Sequence, residues 1–324
     1  MKLPKKGLLL LTLCASTLSY AQSRPQAGFS GELALNGVYL DVQSNLDTKA
    51  ETTWQQGQTN QYSASALFPL GNLQYHFGSQ ANHQLFVGTS RADIAVGSLA
   101  LEAGYQYQFA NGMQWSLAIL PTVLEGKVWQ DPFKLSGART ETNESGTAYR
   151  TQIKKIAGSN LSLDLAYGSS KVEQENSGSE LSADQALLAR SGDVYYAKAD
   201  YMIPLQRNLL LFPAFKYIQN QADGGAMKNR GVGGELTALL FLGRHQIAAT
   251  LGYMQHQYQE QHPRFTATRS DQRYKSFIAY EYTQLMQVEQ LSLVAFAGYD
   301  TTASNLDFYD QRQLMTSVGV NWRF

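Results

Sequence analysis

The chain has 324 residues with 26 basic and 26 acidic side chains, one cysteine, 27 glycines and 19 tyrosines. The near-neutral balance, without a basic block, gives no footprint for a nucleic-acid partner, and one cysteine excludes a disulfide framework or a cysteine-built metal site. Beyond the N-terminus no stretch holds eighteen apolar residues in a row, which excludes helical membrane spans.

Residues 1–21 read as an export signal. Lys2, Lys5 and Lys6 precede a short apolar run at 7–15, and Ser19 and Ala21 are the small residues expected before a cleavage site. Leu13 occupies the position where a lipobox ahead of Cys14 would need a small residue, so no lipid anchor is expected. Losing 1–21 removes the cysteine and three lysines, leaving 23 bases against 26 acids and a net charge of −3.

From residue 28 the dominant signal is a period of two, the signature of strands with two unlike faces. Segment 28–42 sets Phe29, Leu33, Leu35 and Tyr39 against Ser30, Glu32 and Asn36. Residues 43–66 are polar and read as a loop, and 70–78 returns as a strand with Leu73, Tyr75 and Phe77 on one face. A turn at 79–83 leads to a strand at 84–90, and 91–93 reads as a tight reversal. The clearest segment is L-A-L-E-A-G-Y-Q-Y-Q-F from Leu99, where Leu101, Tyr105 and Tyr107 alternate with Glu102, Gly104 and Gln106. Asn111-Gly112 supplies a hairpin turn into a strand at 113–123. A glutamate between leucines is hard to place in a closed core and easy to place facing a wet lumen.

The remaining strands are expected at 148–155, 161–168, 194–203, 209–218, 232–242, 246–258, 273–282, 291–299 and 315–324. Within 171–191, residues 181–190 read as one or two helical turns, and Pro213 marks a bend or an unpaired position. Short turns fall at 79–83, 110–112, 156–160, 204–208, 243–245 and 285–290. Longer connections fall at 43–69, 125–146, 169–192, 219–230, 259–271 and 300–312. This sorting of short and long connections belongs to outer-membrane barrels. The expected fold is all-β, an antiparallel up-and-down transmembrane β-barrel of about fourteen strands over 22–324. Twelve or sixteen are the alternatives, because 84–96 and 148–155 are weakly marked.

The stretches L-F-P-L-G-N-L-Q-Y-H-F-G (67–78), F-V-G-T-S-R-A-D-I-A-V-G (86–97) and L-P-T-V-L-E-G-K-V-W-Q-D-P (120–132) resemble an uncharacterised gammaproteobacterial family of outer-membrane barrels, a domain of unknown function. R-T-E-T-N-E-S-G (139–146), S-G-D-V-Y-Y (191–196), L-G-R-H (242–245) and the run from F-A-G-Y (296–299) to Phe324 are also similar. The resemblance implies an outer-membrane barrel in a Gram-negative bacterium and brings no catalytic or binding residues. A terminal Phe324, with Trp322, looks like the signal read by the barrel-assembly machinery. Both belong to an expected periplasmic aromatic belt with Phe77, Phe109, Trp115 and Tyr282.

Candidate functional residues lie on the polar face. By parity Arg150, Lys154, Lys198, Lys216, Arg273, Lys275 and Arg323 point inward. So do Glu32, Glu102, Asp164, Asp200, Glu235 and Glu281. Charge rings in a wetted pore sort small solutes; the alternative is a closed interior of mutually neutralising pairs. Near balance predicts no strong ion selectivity. His83 and His245 read as solvated turn residues, and His256 and His262 lack an acidic cluster at ligand spacing. No nucleophile, base and orienting group are found on neighbouring strand ends, so neither catalysis nor a cofactor or metal is expected. The first reading is a monomeric channel for small solutes, with 43–69, 125–146 and 169–192 able to fold inward. The second is a non-transporting barrel displaying its loops, and a barrel enzyme is third. Expected partners are outer-membrane lipid and lipopolysaccharide, the assembly machinery, and small solutes.

Overall fold

The computed structural model describes residues 26–49, 51–53, 59–89, 93, 100–121, 126–181 and 184–324. The export signal therefore lies outside the described residues, as do Arg91 and Ala92 of the expected reversal. The first half of the wall comprises β1 (Gly28–Gln43), β2 (Gln61–Phe77), β3 (His83–Thr89), β4 (Leu101–Gln108), β5 (Gln114–Pro121), β6 (Gly126–Trp129), β7 (Glu141–Lys154) and β8 (Leu161–Val172). The second comprises β9 (Gly192–Tyr201), β10 (Ile203–Gln206), β11 (Leu209–Ala222), β12 (Asn229–Leu242), β13 (His245–His262), β14 (Ala267–Thr283), β15 (Leu291–Ser304) and β16 (Gln311–Arg323).

Each strand pairs antiparallel with its neighbours, and β16 closes on β1 through Leu33↔Trp322 to Gln43↔Arg312. Segments β5 and β6 both lie on β7, and β9 and β10 both lie on β11, so the wall is a closed barrel of 14 strands. Closure leaves no unpaired edge in lipid, which is the condition for strands to cross a bilayer. Pro213 sits where its missing N–H does least harm. β11 pairs with β10 up to Leu211 and with β9 from Ala214, so Pro213 lies opposite the break between those two segments.

The outward face is apolar and bare. Phe29, Leu33, Leu35, Leu67, Leu251 and Val318 are exposed, a burial error in water and the right arrangement in lipid. Phe29 to Tyr39 covers about 33 Å along the strand and about 25 Å of height at the usual barrel tilt. Tyrosines mark the upper border. Tyr149, Tyr167 and Tyr195 stand side by side across β7, β8 and β9, and Tyr253 packs on Tyr274 at 5.2 Å between ring centres. The lower border carries Trp115, Trp322 and Phe324, with Phe77 stacked on His83 and Tyr107 against Phe109. His83 and His245 are not bare turn residues. Their Nδ1 atoms meet the hydroxyls of Tyr105 at 2.7 Å and Tyr280 at 2.8 Å, within the lower aromatic girdle.

The connections are shorter than the sequence suggests, because the strands run on past the lipid. β2 begins at Gln61, β7 at Glu141 and β14 at Ala267, so the long connections shrink to 44–60, 130–140, 173–191, 223–228, 263–266 and 305–310. Polar composition was the misleading cue. Gln255, Gln257 and Gln259 occupy the outward face of β13 above Tyr253 and are exposed, yet the backbone ladder with β14 continues through Gln257↔Ser270. Once above lipid, a strand's outer face meets water and needs no apolar residues. At the other end the turn expected at 204–208 tightens to 207–208, since β10 extends the wall to Gln206. β3 ends at Thr89 and β4 begins at Leu101, and of residues 90–99 only Asp93 is described.

Candidate functional site: a capped lumen with two unlike walls

Inward residues from β4, β7, β8, β9, β11 and β12 make a charged wall. Arg150 on β7 is its hub. It binds Asp164 on β8 at 2.6 Å, Glu102 on β4 at 3.3 Å, and Asp93 of the 90–100 connection at 2.6 Å. Lys154 lies among the same carboxylates. One layer along, Glu235 on β12 accepts from Lys198 at 3.1 Å and Lys216 at 3.0 Å, and Asp200 and Lys275 lie nearby. These side chains meet because the antiparallel register places Ala118, Arg150 and Ala166 abreast, and Asp164, Lys198 and Lys216 abreast. Toward the loop end Arg273 pairs with Asp300 at 2.8 Å.

Toward the short-turn end the wall running from β11 through β16 to β1 and β2 is largely apolar. Leu210, Leu239 and Ala248 pack together with Met202, Phe212, Phe241 and Ala279, and Phe277 stacks on Phe296 at 6.1 Å. Beside them Arg323 bridges Glu281 and Glu32, the latter at 4.0 Å, while Asn72 and Asn321 donate to Glu32 at 2.9 and 3.0 Å. In the closing strand Gly319 is fixed by contact: a Cβ there would stand 2.3 Å from Asn36 Oδ1 and 2.4 Å from Leu35 O.

The loop end is covered. Phe133, Leu188, Met227, Leu306, Phe308 and Tyr309, drawn from four separate connections, form one buried apolar core against which Leu46 and Phe265 pack. Gly178 belongs to it. Its φ of +76° and the Leu188 methyl 2.7 Å from where a Cβ would stand both require glycine. Polar contacts bind the pieces. The Asp131 carboxylate accepts from the backbone of Phe133, Gly178 and Ser179 at 2.9–3.0 Å. Asn45 donates to Phe308 O at 3.1 Å, and Arg190 ties Glu175 to Trp129 O. Arg139, 4% exposed, donates to the carbonyls of Asn45, Glu51 and Thr52 at 2.6, 2.9 and 3.2 Å while lying 4.3 Å over the Trp129 ring. Burial draws its guanidinium down to about 10, so it stays charged at neutral pH.

Two groups make this cap sensitive to acid. His262, fully buried, meets Tyr309 Oη at 2.8 Å among Phe133, Phe265 and the cationic Arg264 and Arg269. Burial first, then these cations, lower its pKa from 6.5 to about 3. Glu180 accepts from the Ser136 hydroxyl and the backbone N–H groups of Ser136 and Leu135, which lower it to about 2. Both folded values lie below the unfolded ones, so an opened cap binds more protons than the closed one. The closed cap is expected to lose stability as pH falls from about 6.5 toward 3 through His262, and below about 4.5 through Glu180. Protection factors of 305–310 and 263–266, corrected for the intrinsic pH dependence of amide exchange, should fall as the pH drops across that window; protection factors constant across it would contradict this.

The expected inward residues thus divide into three groups. The structure brings Arg150, Lys154, Glu102, Asp164, Lys198, Lys216, Glu235 and Asp200 together, with Lys275 of β14 near Glu235, gathers Glu32, Glu281 and Arg323 elsewhere, and sets Arg273 apart with Asp300. Trp322 and Phe324 lie outward at the β1–β16 seam, where Phe324 and Gly31 exchange backbone hydrogen bonds of 2.9 and 3.0 Å. Asp93 escaped the sequence reading because 91–93 looked like a reversal. The apolar wall was signalled by the unbroken run Ala238–Leu242, apolar on both parities. The cap core was signalled by isolated apolar residues, Phe133, Leu187-Leu188 and Phe308-Tyr309, inside polar connections. Among the described residues no three His, Cys, Asp or Glu side chains gather as a metal set.

Residues 28–323 match a family described as protein of unknown function, DUF2860. The chain belongs to that family. It is thereby a member of a family of outer-membrane β-barrels of uncharacterised role. No curated protein matches the sequence. Solved structures similar in fold include a Pseudomonas aeruginosa FadL homologue, 10% identical over 91% of this chain and 90% of that one, with a TM-score of 0.49. The CymD monoaromatic hydrocarbon channel is 10% identical over 98% and 93%, at 0.47. A bacterial polysaccharide outer-membrane secretin is 9% identical over 91% and 98%, at 0.44. The barrel assignment rests on the strand register of this family member and not on these likenesses.

Proposed function

We propose that the protein is a gated channel for small solutes in the outer membrane, delivered there by a cleaved signal at 1–21. The loop body is its outer gate and the two-walled lumen its passage. One observation carries this reading: separate connections pack on each other at the loop end, while the lumen keeps a cavity along its apolar wall, edged by Glu32 and Glu281. A barrel of this size is wider than the eight-strand kind that side chains fill. In this reading the inward charges set the passage, and the near balance of acids and bases gives weak ion selectivity. Proteoliposomes carrying the barrel are expected to swell in sugars or amino acids of low mass and to stay shut to larger ones. Absence of swelling with every solute would overturn the proposal.

The second reading, a non-transporting barrel that displays its loops at the lipopolysaccharide surface, is favoured by the pairing of lumen charges, Arg150 with three carboxylates and Glu235 with two lysines. It predicts no swelling under any condition. In both readings Trp322 and Phe324 serve as the assembly signal. Deleting Phe324, which also removes both hydrogen bonds of the Gly31 exchange that seals the seam, is expected to lower surface levels more than Arg323→Ala does. Equal surface levels of the two variants would contradict that role.

A further inference from the structure

We infer that the outward face of β11 to β13 holds one lipopolysaccharide molecule at a fixed place. Arg230 takes a phosphate of its lipid A, and an acyl chain lies along the Val232–Gly234 groove beneath. The inference stands apart from the channel reading, because it concerns the outside of the wall and holds whether or not the lumen conducts.

Height and charge choose the head group. On β12 the outward positions are Arg230, Val232, Gly234, Leu236 and those that alternate below them. Val232 is the uppermost apolar residue of that series. Arg230 stands about 7 Å farther along the strand, where such a wall passes from acyl chains to head groups. Register sets Gln219 of β11 and Gln257 of β13 on either side of Arg230. Tyr217 Oη donates to Gln219 Oε1 at 3.1 Å, which leaves the Gln219 amide N–H groups for an outside acceptor. Up to the level of Arg230 the outward positions of β11 to β14 carry no Asp or Glu. The acids of these strands, Glu235, Asp271 and Glu281, are buried on the inner side. Among the described residues Arg230 has no carboxylate partner. A guanidinium so placed binds phosphate through paired N–H bonds, and the amides beside it suit the hydroxyls of a phosphorylated sugar.

The groove lies directly below. Phe215, Gly234 and Tyr253 stand abreast on β11, β12 and β13, so a residue without a side chain separates two exposed rings. A Cβ at Gly234 would meet nothing nearer than Ala214 O at 3.3 Å, so the floor of the slot is bare backbone. Two strand spacings, about 10 Å, separate the backbones on either side. A cation above an apolar slot fits an anionic lipid. It does not fit a second copy of the barrel, because a two-fold contact sets this face against itself and offers Arg230 no acid.

Native mass spectrometry of the purified full barrel counts bound lipids and copies at once. Titration with bisphosphorylated lipid A is expected to give one saturable adduct per chain, about tenfold tighter than dephosphorylated lipid A or phosphatidylglycerol. Arg230→Gln should weaken that adduct about tenfold. Arg230→Lys should weaken it less, since an ammonium keeps the charge and loses the paired bonds. Gly234→Phe, which fills the slot, should weaken it several-fold. Arg207→Gln, at an exposed arginine of the short-turn end, should leave it unchanged. Heat-modifiable migration on gels shows that each variant is folded, and the Arg230 variants carry the test if Gly234→Phe does not fold. An adduct unchanged in folded Arg230→Gln, an equal loss in Arg207→Gln, or phosphatidylglycerol bound as tightly as lipid A would overturn the site. So would a dimer that takes up no lipid A.

Discussion

Arg139→Ala is expected to loosen the outer cap while leaving the wall folded. The guanidinium ties 130–140 to 44–60 through three carbonyls and lies over the face of Trp129 at the end of β6. Hydrogen bonds to a charged group contribute about 1.5–3 kcal/mol each; their removal here deprives the carbonyl of the buried Asn45 of its donor, while the Thr52 carbonyl keeps the Arg139 backbone N–H. Water reaching the loosened loops recovers part of that, so a net loss of about 2–4 kcal/mol in cap closure is expected. At 1.4 kcal/mol per factor of ten, the opening equilibrium rises about thirtyfold or more. Limited proteolysis should read this as faster cleavage within 44–60 and 130–140, with β12 to β16 still protected. Arg139→Lys should rescue little, since an ammonium offers no planar fork to span several carbonyls and an indole face. Cleavage equal to wild type in Arg139→Ala would contradict the role given to this residue.

Arg150→Leu is expected to act on the lumen. Arg150 is 12% exposed at its side chain and holds Asp93, Glu102 and Asp164, each no more than 13% exposed. Removing it leaves three carboxylates with Lys154 and, for Asp164, Gln152 and Lys198 as their remaining partners. Breaking a buried pair by deleting one partner costs about 3–5 kcal/mol, and the carboxylates' access to the lumen places the expected loss at the lower end. A lower urea midpoint for unfolding from lipid vesicles is the stability readout. The second readout is reversal potential in a salt gradient, which should move toward cation preference because the passage loses a positive charge. Asp93→Asn in the Arg150→Leu background should restore part of the stability, since the two groups are in contact and their effects do not add. An unchanged midpoint together with an unchanged reversal potential would show that the hub neither holds the wall nor faces the passage.

The period of two made the wall legible. Leu101, Tyr105 and Tyr107 against Glu102 and Gln106 state both the strand and its two environments, and Asn111-Gly112 states the hairpin. The register adds which inward residues meet. Nothing in the sequence says that Asp164, Lys198 and Lys216 stand abreast, because that follows from strand stagger, a property of the closed sheet. The extensions past lipid were illegible for a physical reason. The outward face of Gln255–Gln259 obeys the rules of water, so the alternation that marks a membrane strand vanishes while its hydrogen bonds persist. Cap residues hid in the same way, since Phe133 and Tyr309 are single apolar residues whose partners lie in other connections. The apolar lumen wall is legible in Ala238–Leu242, where both parities are apolar, against the polar inner face that the charged residues suggest.

Single-channel recording in planar bilayers reads the loop gate and the passage beneath it together. Wild-type barrel is expected to show rare or small conductance steps, and Arg139→Ala frequent, larger ones under the same voltage and salt. Silent bilayers with both proteins, inserted in equal amounts and folded, would contradict the gate and the passage together.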